Sequence, residues 1–238
     1  MNLKGSYKKY IFFFCILVIL YFVVLILMER YYYQNKNHFK HNKKEHFDFI
    51  SKETCGIFKQ KIMNNIYLVN NLLNEQFENT KGILIQFDEN NAHDSFRSKN
   101  IEFLYPYFKK IKKPYATNFV LNALVIPPSK KEEMSIKYHY DTTLDMNEDD
   151  DDADDHFFNY DIVPECVSVL YIEQPTHMKG GRLRLYKYAN LVNIANISPS
   201  VGKLVEFNGR LFHGVESFHD LNDTNTERIS IVLEQYCV

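Results

Sequence analysis

The stretch IKYHYDTT, Ile136–Thr143, belongs to a series of short β-rich runs that begins at Asn118. Turn-forming residues such as Pro127-Pro128, Gly180-Gly181 and Asn208-Gly209 separate the runs. In chain order the runs are NFVLNALVI, IKYHYD, CVSVLYIE, GRLRLYKY, GKLVEFN, LFHGVESF and RISIVLEQY. Many short strands at this spacing are typical of a β-sandwich or jelly-roll barrel. We therefore expect a mainly β domain with flanking helices, an α+β fold, whose β part carries the functional site.

The segment before these runs has the pattern of helices. Apolar residues recur every three or four positions from Phe58 to Phe77, which places them on one face of a helix. The run ILIQF resembles a strand, and Ile101–Ile111 predicts a second helix that is broken or started at Pro106. These helices are expected to cover one sheet of the barrel.

An apolar segment without any charge, Tyr10–Met28, lies near the N-terminus. A helix of this length spans roughly 28 Å, close to the hydrocarbon thickness of a bilayer. The segment is too long for a signal peptide and has no small-residue cleavage pattern, so an uncleaved transmembrane anchor is expected. This interpretation divides the chain into a short tail (1–9), an anchor (10–28), a basic stem (29–55) and a C-terminal domain (56–238) whose β core covers about residues 118–238.

The side of the membrane on which the domain lies is not clear from the flanking charges. Lysines precede the anchor, and a basic segment rich in Lys, Asn and His follows it, so the charge rule is ambiguous. We expect a single-pass protein of the endoplasmic reticulum or secretory pathway with a lumenal C-terminal domain, in contact with the lipid bilayer through residues 10–28.

Composition excludes several other classes of protein. The formal net charge of −2 provides no general attraction to nucleic acid, so no nucleic-acid partner is expected. The four cysteines show no C-x-x-C spacing, which argues against a zinc module or a thioredoxin-like site.

His139 and Asp141 are candidate metal ligands because residues two apart in a strand project from the same face. An H-x-D pair alone is common by chance and needs a third ligand. His213, in NGRLFHGVES, lies in an apolar setting where an unpartnered imidazole would be costly to bury. Two imidazoles and one carboxylate on one side of a cation form the facial triad of non-haem Fe(II) oxygenases.

Arg228 and Ser230 begin the last β-rich run, and their spacing again places both on one face, with Val232. This face is expected to point into the barrel. A guanidinium is permanently charged and forked, so it can hold a carboxylate through two parallel hydrogen bonds, with the serine hydroxyl as a further donor.

Taken together, residues 118–238 resemble the Fe(II)/2-oxoglutarate-dependent oxygenase superfamily, in particular its prolyl 4-hydroxylase-like branch. The matching blocks, in order, are HYD, VSVLYIE, GGRLRLY, VGKLVEFNGRLFHGVES and ERISIVLEQY. The resemblance implies a double-stranded β-helix, a jelly-roll or cupin-like barrel, in which the His-Asp-His set binds iron. It also implies that Arg228 and Ser230 bind the far carboxylate of 2-oxoglutarate. Tyr171 is either a further hydrogen-bond partner of that carboxylate or a packed barrel aromatic.

The implied activity is that of a dioxygenase, an oxidoreductase acting on paired donors with incorporation of molecular oxygen. We expect hydroxylation of a prolyl, or lysyl, side chain in a protein or peptide substrate, with release of succinate and CO2. The expected cofactors are Fe(II), 2-oxoglutarate as co-substrate and O2, with ascorbate as a further candidate. No catalytic side chain beyond the metal ligands is required. The acidic insert, residues 145–155, departs from the family pattern and is interpreted as a solvated, low-complexity segment.

Two other functions remain open from the sequence. One is a catalytically inactive, membrane-tethered jelly-roll binding module. The other is a cupin-type enzyme with a different metal, which would give Arg228 and Ser230 no particular role.

Overall fold

A computed structural model of the chain describes residues 14, 16–24, 42–66, 80–129, 134–142, 144, 162–187, 192–222 and 224–238. The chain divides into two compact units, Met1–His38 and Phe39–Val238. In the first unit, residues 16–24 are helical. None of the described helices is both long and apolar enough to cross a membrane. Residues 10–13, 15 and 25–28 of the predicted anchor, and the whole acidic insert, lie outside the described residues.

In the second unit the described residues form twelve strands, all paired in antiparallel fashion. The strands are β1 (Lys43–His46), β2 (Lys81–Asp88), β3 (Asn118–Ile126), β4 (Met134–His139), β5 (Cys166–Glu173), β6 (Met178–Gly180), β7 (Leu183–Tyr186), β8 (Asn193–Ile197), β9 (Leu204–Phe207), β10 (Phe212–Glu216), β11 (Phe218–Asp220) and β12 (Arg228–Tyr236). A six-stranded sheet has the order β1-β9-β5-β12-β3-β2, and a four-stranded sheet has the order β4-β10-β7-β8. Strands β11 and β6 form a separate ribbon.

Among the described residues, three helices precede the β-rich half of the domain. They are α1 (Lys52–Ile66), α2 (Ala92–Ser98) and α3 (Tyr105–Ile111), and a 3₁₀ turn, Glu102–Leu104, leads into α3. Pro106 lies in the first turn of α3. Backbone N–H groups in this turn have no acceptor within the helix, so a proline, which lacks the N–H, is tolerated there. The predicted helix start at this proline is therefore confirmed, and the run ILIQF forms part of β2.

The six-stranded sheet separates two apolar cores, and β12 contributes to both. Ile229, Ile231 and Leu233 pack with the helices in the outer core. Val232 packs against the inner core, which lies between the six-stranded and four-stranded sheets. This alternation follows from the two-residue period of a strand. Two facing antiparallel sheets with helices on one side confirm the predicted α+β, jelly-roll type of architecture.

Strand β1 lies within the segment that was predicted to be the stem. Residues 43–46 pair with β9 at the edge of the six-stranded sheet, and α1 already begins at Lys52. The described part of the predicted stem, residues 42–55, therefore contains a strand and the start of a helix. Two side-chain contacts hold β1 in place, because Lys203 Nζ lies 2.6 Å from Glu45 Oε2 and His46 Nε2 lies 3.0 Å from Glu206 Oε2.

Candidate active site

The predicted metal ligands come from two neighbouring strands of the four-stranded sheet. His139 is the last residue of β4, and Asp141 follows it by two positions. His213 lies in β10 directly opposite His139 in the strand register. The hydrogen-bonded ladder between β4 and β10 therefore brings together residues that are far apart in the sequence.

The three side chains converge on one small volume. His139 Nε2 lies 3.3 Å from Asp141 Oδ1, and His213 Nε2 lies 3.4 Å from Asp141 Oδ2. The candidate ligand atoms of all three residues lie within 4.8 Å of one another. All three side chains are buried, which is unusual for a cluster of ionisable groups that has no further role.

Backbone carbonyls orient both imidazoles. The Nδ1 atom of His139 lies 2.8 Å from the carbonyl oxygen of Lys137, and Nδ1 of His213 lies 2.9 Å from that of Leu211. A carbonyl only accepts, so each Nδ1 carries the proton and each Nε2 faces the centre of the cluster. This is the arrangement that orients histidine as a metal ligand.

The electrostatics of the cluster favour a cation at its centre. Burial alone would raise the pKa of Asp141, but the two imidazoles beside it, His213 foremost, lower this pKa well below its usual range. Burial alone would lower the pKa of His139, but Asp141 raises it. Asp141 Oδ2 is buried and has no hydrogen-bond donor among the described residues. The two nitrogens and this carboxylate therefore fit a divalent ion such as Fe(II), with coordination positions left open.

Arg228 lines the same cavity as the three ligands. Its side chain is only 1% exposed, and Nη1 donates a hydrogen bond of 2.8 Å to the carbonyl of Gly181. Within the part of the chain that the structure describes, no carboxylate lies at ion-pair distance from it, and Nε has no partner. Burial lowers the pKa of Arg228, yet a guanidinium remains charged at neutral pH. Such a buried cation requires an anionic ligand.

Comparison with solved structures identifies this fold. A prolyl-4-hydroxylase from Pseudomonas putida matches with a TM-score of 0.50 and 16% identity, over 84% of this chain and 94% of that one. The chain has the prolyl-4-hydroxylase fold. The protein called IDO from Bacillus thuringiensis matches with a TM-score of 0.51 and 12% identity, over 82% and 92% of the two chains. No family model and no curated protein matches the sequence.

Within this prolyl-4-hydroxylase fold, the predicted partners of Arg228 lie as follows. Ser230 is buried, lines the cavity and is paired with Tyr171 in the register of β12 and β5. The Tyr171 ring lies against the guanidinium of Arg228, with 5.1 Å between the ring centroid and Cζ. Its hydroxyl is buried and has no hydrogen-bond partner in the described ranges, although Tyr171 is not among the residues that line the cavity. Both interpretations of Tyr171, as a ligand-binding hydroxyl and as a packed aromatic, remain open.

Two polar residues of the cavity were missed by sequence reasoning. Asn122, in β3, and Glu234, in β12, both line the cavity and are buried. Glu234 follows Arg228 by six positions, so the same alternation that places Ser230 in the barrel also places Glu234 there. That alternation was a usable signal for Glu234. Asn122 stands out only as a polar residue within a continuous apolar run.

Proposed function

We propose that the protein is an Fe(II)/2-oxoglutarate-dependent dioxygenase that hydroxylates a side chain of a protein or peptide, with release of succinate and CO2. One observation carries the proposal. A His-Asp-His cluster and a buried arginine without a carboxylate partner among the described residues line the same cavity. Neither feature alone specifies this chemistry, but the pair fits a metal together with a dianionic co-substrate.

The metal ligands have one task, which is to hold the ion from one side. His139, Asp141 and His213 would bind Fe(II) through two nitrogens and one oxygen, and so leave positions open for 2-oxoglutarate and O2. When bound, the iron and the co-substrate supply the oxidising chemistry, and the protein supplies binding, orientation and exclusion of water. The apolar lining contributed by Val167, Val169 and Leu183 serves this exclusion.

The far end of the co-substrate would be held by Arg228 and Ser230. Gly181 accepts a hydrogen bond from one guanidinium nitrogen, which fixes the plane of the fork and leaves the remaining donors directed elsewhere. A hydroxyl beside a guanidinium adds a further donor to a bound carboxylate. Ascorbate is proposed only as a reductant that maintains Fe(II).

The substrate class that we propose is a prolyl or lysyl side chain. The fold shared with a prolyl-4-hydroxylase supports a residue within a polypeptide as the substrate. The apolar segment of residues 10–28 supports a membrane-anchored enzyme of the endoplasmic reticulum or secretory pathway with a lumenal domain. Asn222, in an Asn-Asp-Thr sequon, is exposed, so its glycosylation in cells would support this orientation. An unmodified Asn222 in a cell that glycosylates other lumenal sequons would argue for the opposite orientation.

The test is release of succinate by the purified chain supplied with Fe(II), 2-oxoglutarate and prolyl or lysyl peptides. His213→Ala should abolish both succinate release and stoichiometric iron binding, because it removes one of three ligands. His219→Ala is the matched control, since His219 lies in β11 outside the cluster, and it should retain both. Unchanged 2-oxoglutarate turnover in His213→Ala would contradict the proposed metal site. Absence of succinate and of iron binding in the wild-type protein would instead favour a tethered barrel without redox chemistry.

A further inference from the structure

A buried side-chain amide lies in the cavity that contains the proposed iron and co-substrate sites, and neither site uses it. This residue is Asn122, in the middle of β3, and it is 6% exposed. Its Oδ1 atom is buried and has no hydrogen-bond partner among the described residues. A buried acceptor without a donor lowers the stability of the folded state, so the presence of this amide needs a functional explanation.

The surroundings of Asn122 give no structural reason for a polar residue. Asn122 is paired with Val232 on one neighbouring strand and with Leu84 on the other. Val120 and Leu124, two positions away on the same face of β3, are also apolar. A leucine, which has a shape similar to that of asparagine, would therefore suit this position and would leave no unpaired acceptor.

The proposed co-substrate cannot supply the missing donor. A 2-oxo diacid carries two carboxylates and a keto group, all of which accept hydrogen bonds at neutral pH. Its proposed binding residue also lies elsewhere, because the guanidinium of Arg228 contacts the ring of Tyr171 in β5, and β5 and β3 flank β12 on opposite sides. Along β12, Arg228 precedes the residue paired with Asn122 by four positions, roughly 13 Å. A donor for Asn122 must therefore come with another ligand.

Asn122 lies between the cavity and an edge of the six-stranded sheet. Strand β2 is the last strand of this sheet, as far as the structure describes the chain. Leu84, the partner of Asn122 in β2, is half-exposed. A row of side chains therefore leads from solvent at Leu84 through Asn122 to Val232 in the cavity lining. A substrate that enters along this row contacts the amide before it contacts Val232.

On the basis of the oxygenase function above, we propose that Asn122 recognises the substrate, and that its Oδ1 atom accepts a hydrogen bond from an N–H group of the polypeptide. Such donors occur in two places, the backbone next to the modified residue and the ammonium of a lysyl side chain. A prolyl residue has no N–H of its own, so a prolyl substrate would use the backbone N–H of the residue that follows it. Asn122 thus positions the polypeptide, whereas Arg228 and Ser230 position the co-substrate.

The first experiment removes single donors from the peptide and measures binding to the wild-type full chain by fluorescence polarisation, without added iron. In prolyl and lysyl peptides, an ester replaces the backbone amide after the central residue, which removes the N–H and keeps the shape. A norleucine peptide lacks the ammonium of the lysyl peptide. One of these replacements should weaken binding about twofold to tenfold, the usual contribution of one hydrogen bond. Equal binding of all the peptides, or binding of none, would overturn the proposal.

The second experiment assigns the lost donor to Asn122. In Asn122→Leu, the replacement that weakens binding to the wild-type protein should change the affinity by a factor of about one, because no acceptor remains. Asn118→Leu is the matched control. Asn118 lies in the same strand, donates a hydrogen bond of 3.2 Å to Thr117 Oγ1 and does not line the cavity, so the wild-type ratio should be retained. A wild-type ratio in Asn122→Leu would contradict the assignment.

Urea denaturation of the same proteins gives a readout that needs neither peptide nor iron. Asn122→Leu should raise the urea midpoint, since it removes an unpaired buried acceptor and leaves an apolar side chain of similar shape. Asn118→Leu, which removes a hydrogen bond, should not raise it. A lower midpoint for Asn122→Leu than for the wild-type protein would indicate a structural role for the amide and would overturn the proposal.

Succinate formation by the wild-type protein, measured with Fe(II) and 2-oxoglutarate and without peptide, separates this inference from the oxygenase function. Succinate formation together with binding that no donor replacement weakens would reject the role of Asn122 and leave the oxygenase function standing. A donor preference that depends on Asn122, in a protein that forms no succinate, would support polypeptide recognition and reject the oxygenase.

Discussion

Arg228 has two properties that rarely occur in one side chain. It is 1% exposed, yet no carboxylate in the described ranges pairs with it. Removing a cation from water is costly unless an anion replaces the lost hydration. The cost is tolerated here because the Gly181 carbonyl and the Tyr171 ring each provide part of the replacement, and because a bound diacid would provide the rest.

Arg228→Ala should therefore weaken the binding of 2-oxoglutarate. Loss of hydrogen bonds to a charged group costs roughly 1.5 to 3 kcal/mol, which corresponds to about tenfold to a hundredfold in affinity. Arg228→Lys should give an intermediate affinity, because it keeps the charge and loses the forked geometry. Calorimetric titration with 2-oxoglutarate measures both. Arg210→Ala, which removes a partner of Glu165 outside the cavity, is the control, and an affinity equal to wild type in Arg228→Ala would contradict the assigned role.

The sequence pattern was sufficient to predict the metal ligands, but it predicted only some of the other polar residues that line the cavity. His139 and Asp141 are two residues apart, and this spacing in a strand has a single structural meaning. The contact between these two residues and His213 depends on the register of β4 and β10. This register cannot be read from the local sequence pattern, and the resemblance to oxygenases supplied the missing information. Asn122 was not recognised, because one polar residue in an apolar strand has many ordinary explanations.

The turn Gly180-Gly181 determines where the guanidinium lies. Both glycines have positive φ angles, 88° and 74°, which side chains rarely adopt. A Cβ atom at position 180 would lie 2.3 Å from the carbonyl oxygen of Ser217, a distance that no packing adjustment of a side chain can relieve. The turn also presents the carbonyl of Gly181 to Arg228.

Gly180→Ala should destabilise the domain by about 1 to 3 kcal/mol, through backbone strain and the collision with Ser217. It should also weaken 2-oxoglutarate binding, because the Gly181 carbonyl would shift. Gly56→Ala is the matched control. Gly56 lies inside α1, and no atom lies within 4 Å of the position that an added methyl group would take, so alanine there should stabilise by about 0.5 to 1 kcal/mol. Urea denaturation measures the change in unfolding free energy of each variant. Equal midpoints for Gly180→Ala and Gly56→Ala would refute this account of the turn.

Glu216 links β10 to the neighbouring strand β7. Arg182 Nε and Nη2 donate to its carboxylate at 2.8 and 2.9 Å, and Arg184 Nε donates at 2.6 Å. Burial alone would raise the pKa of Glu216, but the hydrogen bonds from the two arginines lower it below the usual value. The strand that carries His213 is thus held by an ion pair at its other end.

The pH dependence of stability follows from that lowered pKa. A carboxyl whose pKa is lower in the folded state stabilises the fold above its unfolded pKa, near 4.3, and this contribution is lost as the pH falls through the folded pKa. Because the arginines are partly exposed, the contribution of Glu216 should be no more than about 1 kcal/mol. Urea midpoints measured between pH 7 and pH 3 should fall less steeply for Glu216→Gln than for the wild-type protein. Parallel profiles would show that this ion pair does not contribute.

The barrel as a whole should respond to its ligands. A ligand at a hundred times its dissociation constant stabilises the folded state by about 2.7 kcal/mol, which corresponds to a rise in Tm of roughly 5 to 10 °C for a domain of this size. Fe(II) with 2-oxoglutarate, under nitrogen, should produce such a shift in the wild-type protein. His213→Ala should lose the iron-dependent part of it. An equal shift in both proteins would place the metal elsewhere.

The architecture was predictable where short apolar, β-rich runs lie between turn-forming residues, and it was missed where a structure depends on distant contacts. The runs from residue 118 onward formed strands as expected, since each has an apolar face to bury. Strand β1, with the sequence KKEH, has no such face, and it forms because β9 offers an open edge and Lys203 and Glu206 offer ion-pair partners. Helix α2 is seven residues long, too short for a helical period to be recognised. The membrane anchor and its orientation stay predictions.

Strand β12 carries two sets of residues that can vary independently: one set lines the cavity and the other packs against the helices. Positions 232 and 234 line the cavity beside the proposed co-substrate donor Ser230, so substitutions at these two positions alter what the cavity accepts. Positions 229, 231 and 233 instead carry the packing against the helices. A lineage descended from this protein can therefore diversify its substrate range by single-codon changes, without first acquiring compensating mutations in the outer core. Insertion of one amino acid into the strand would exchange the two sets and abolish both.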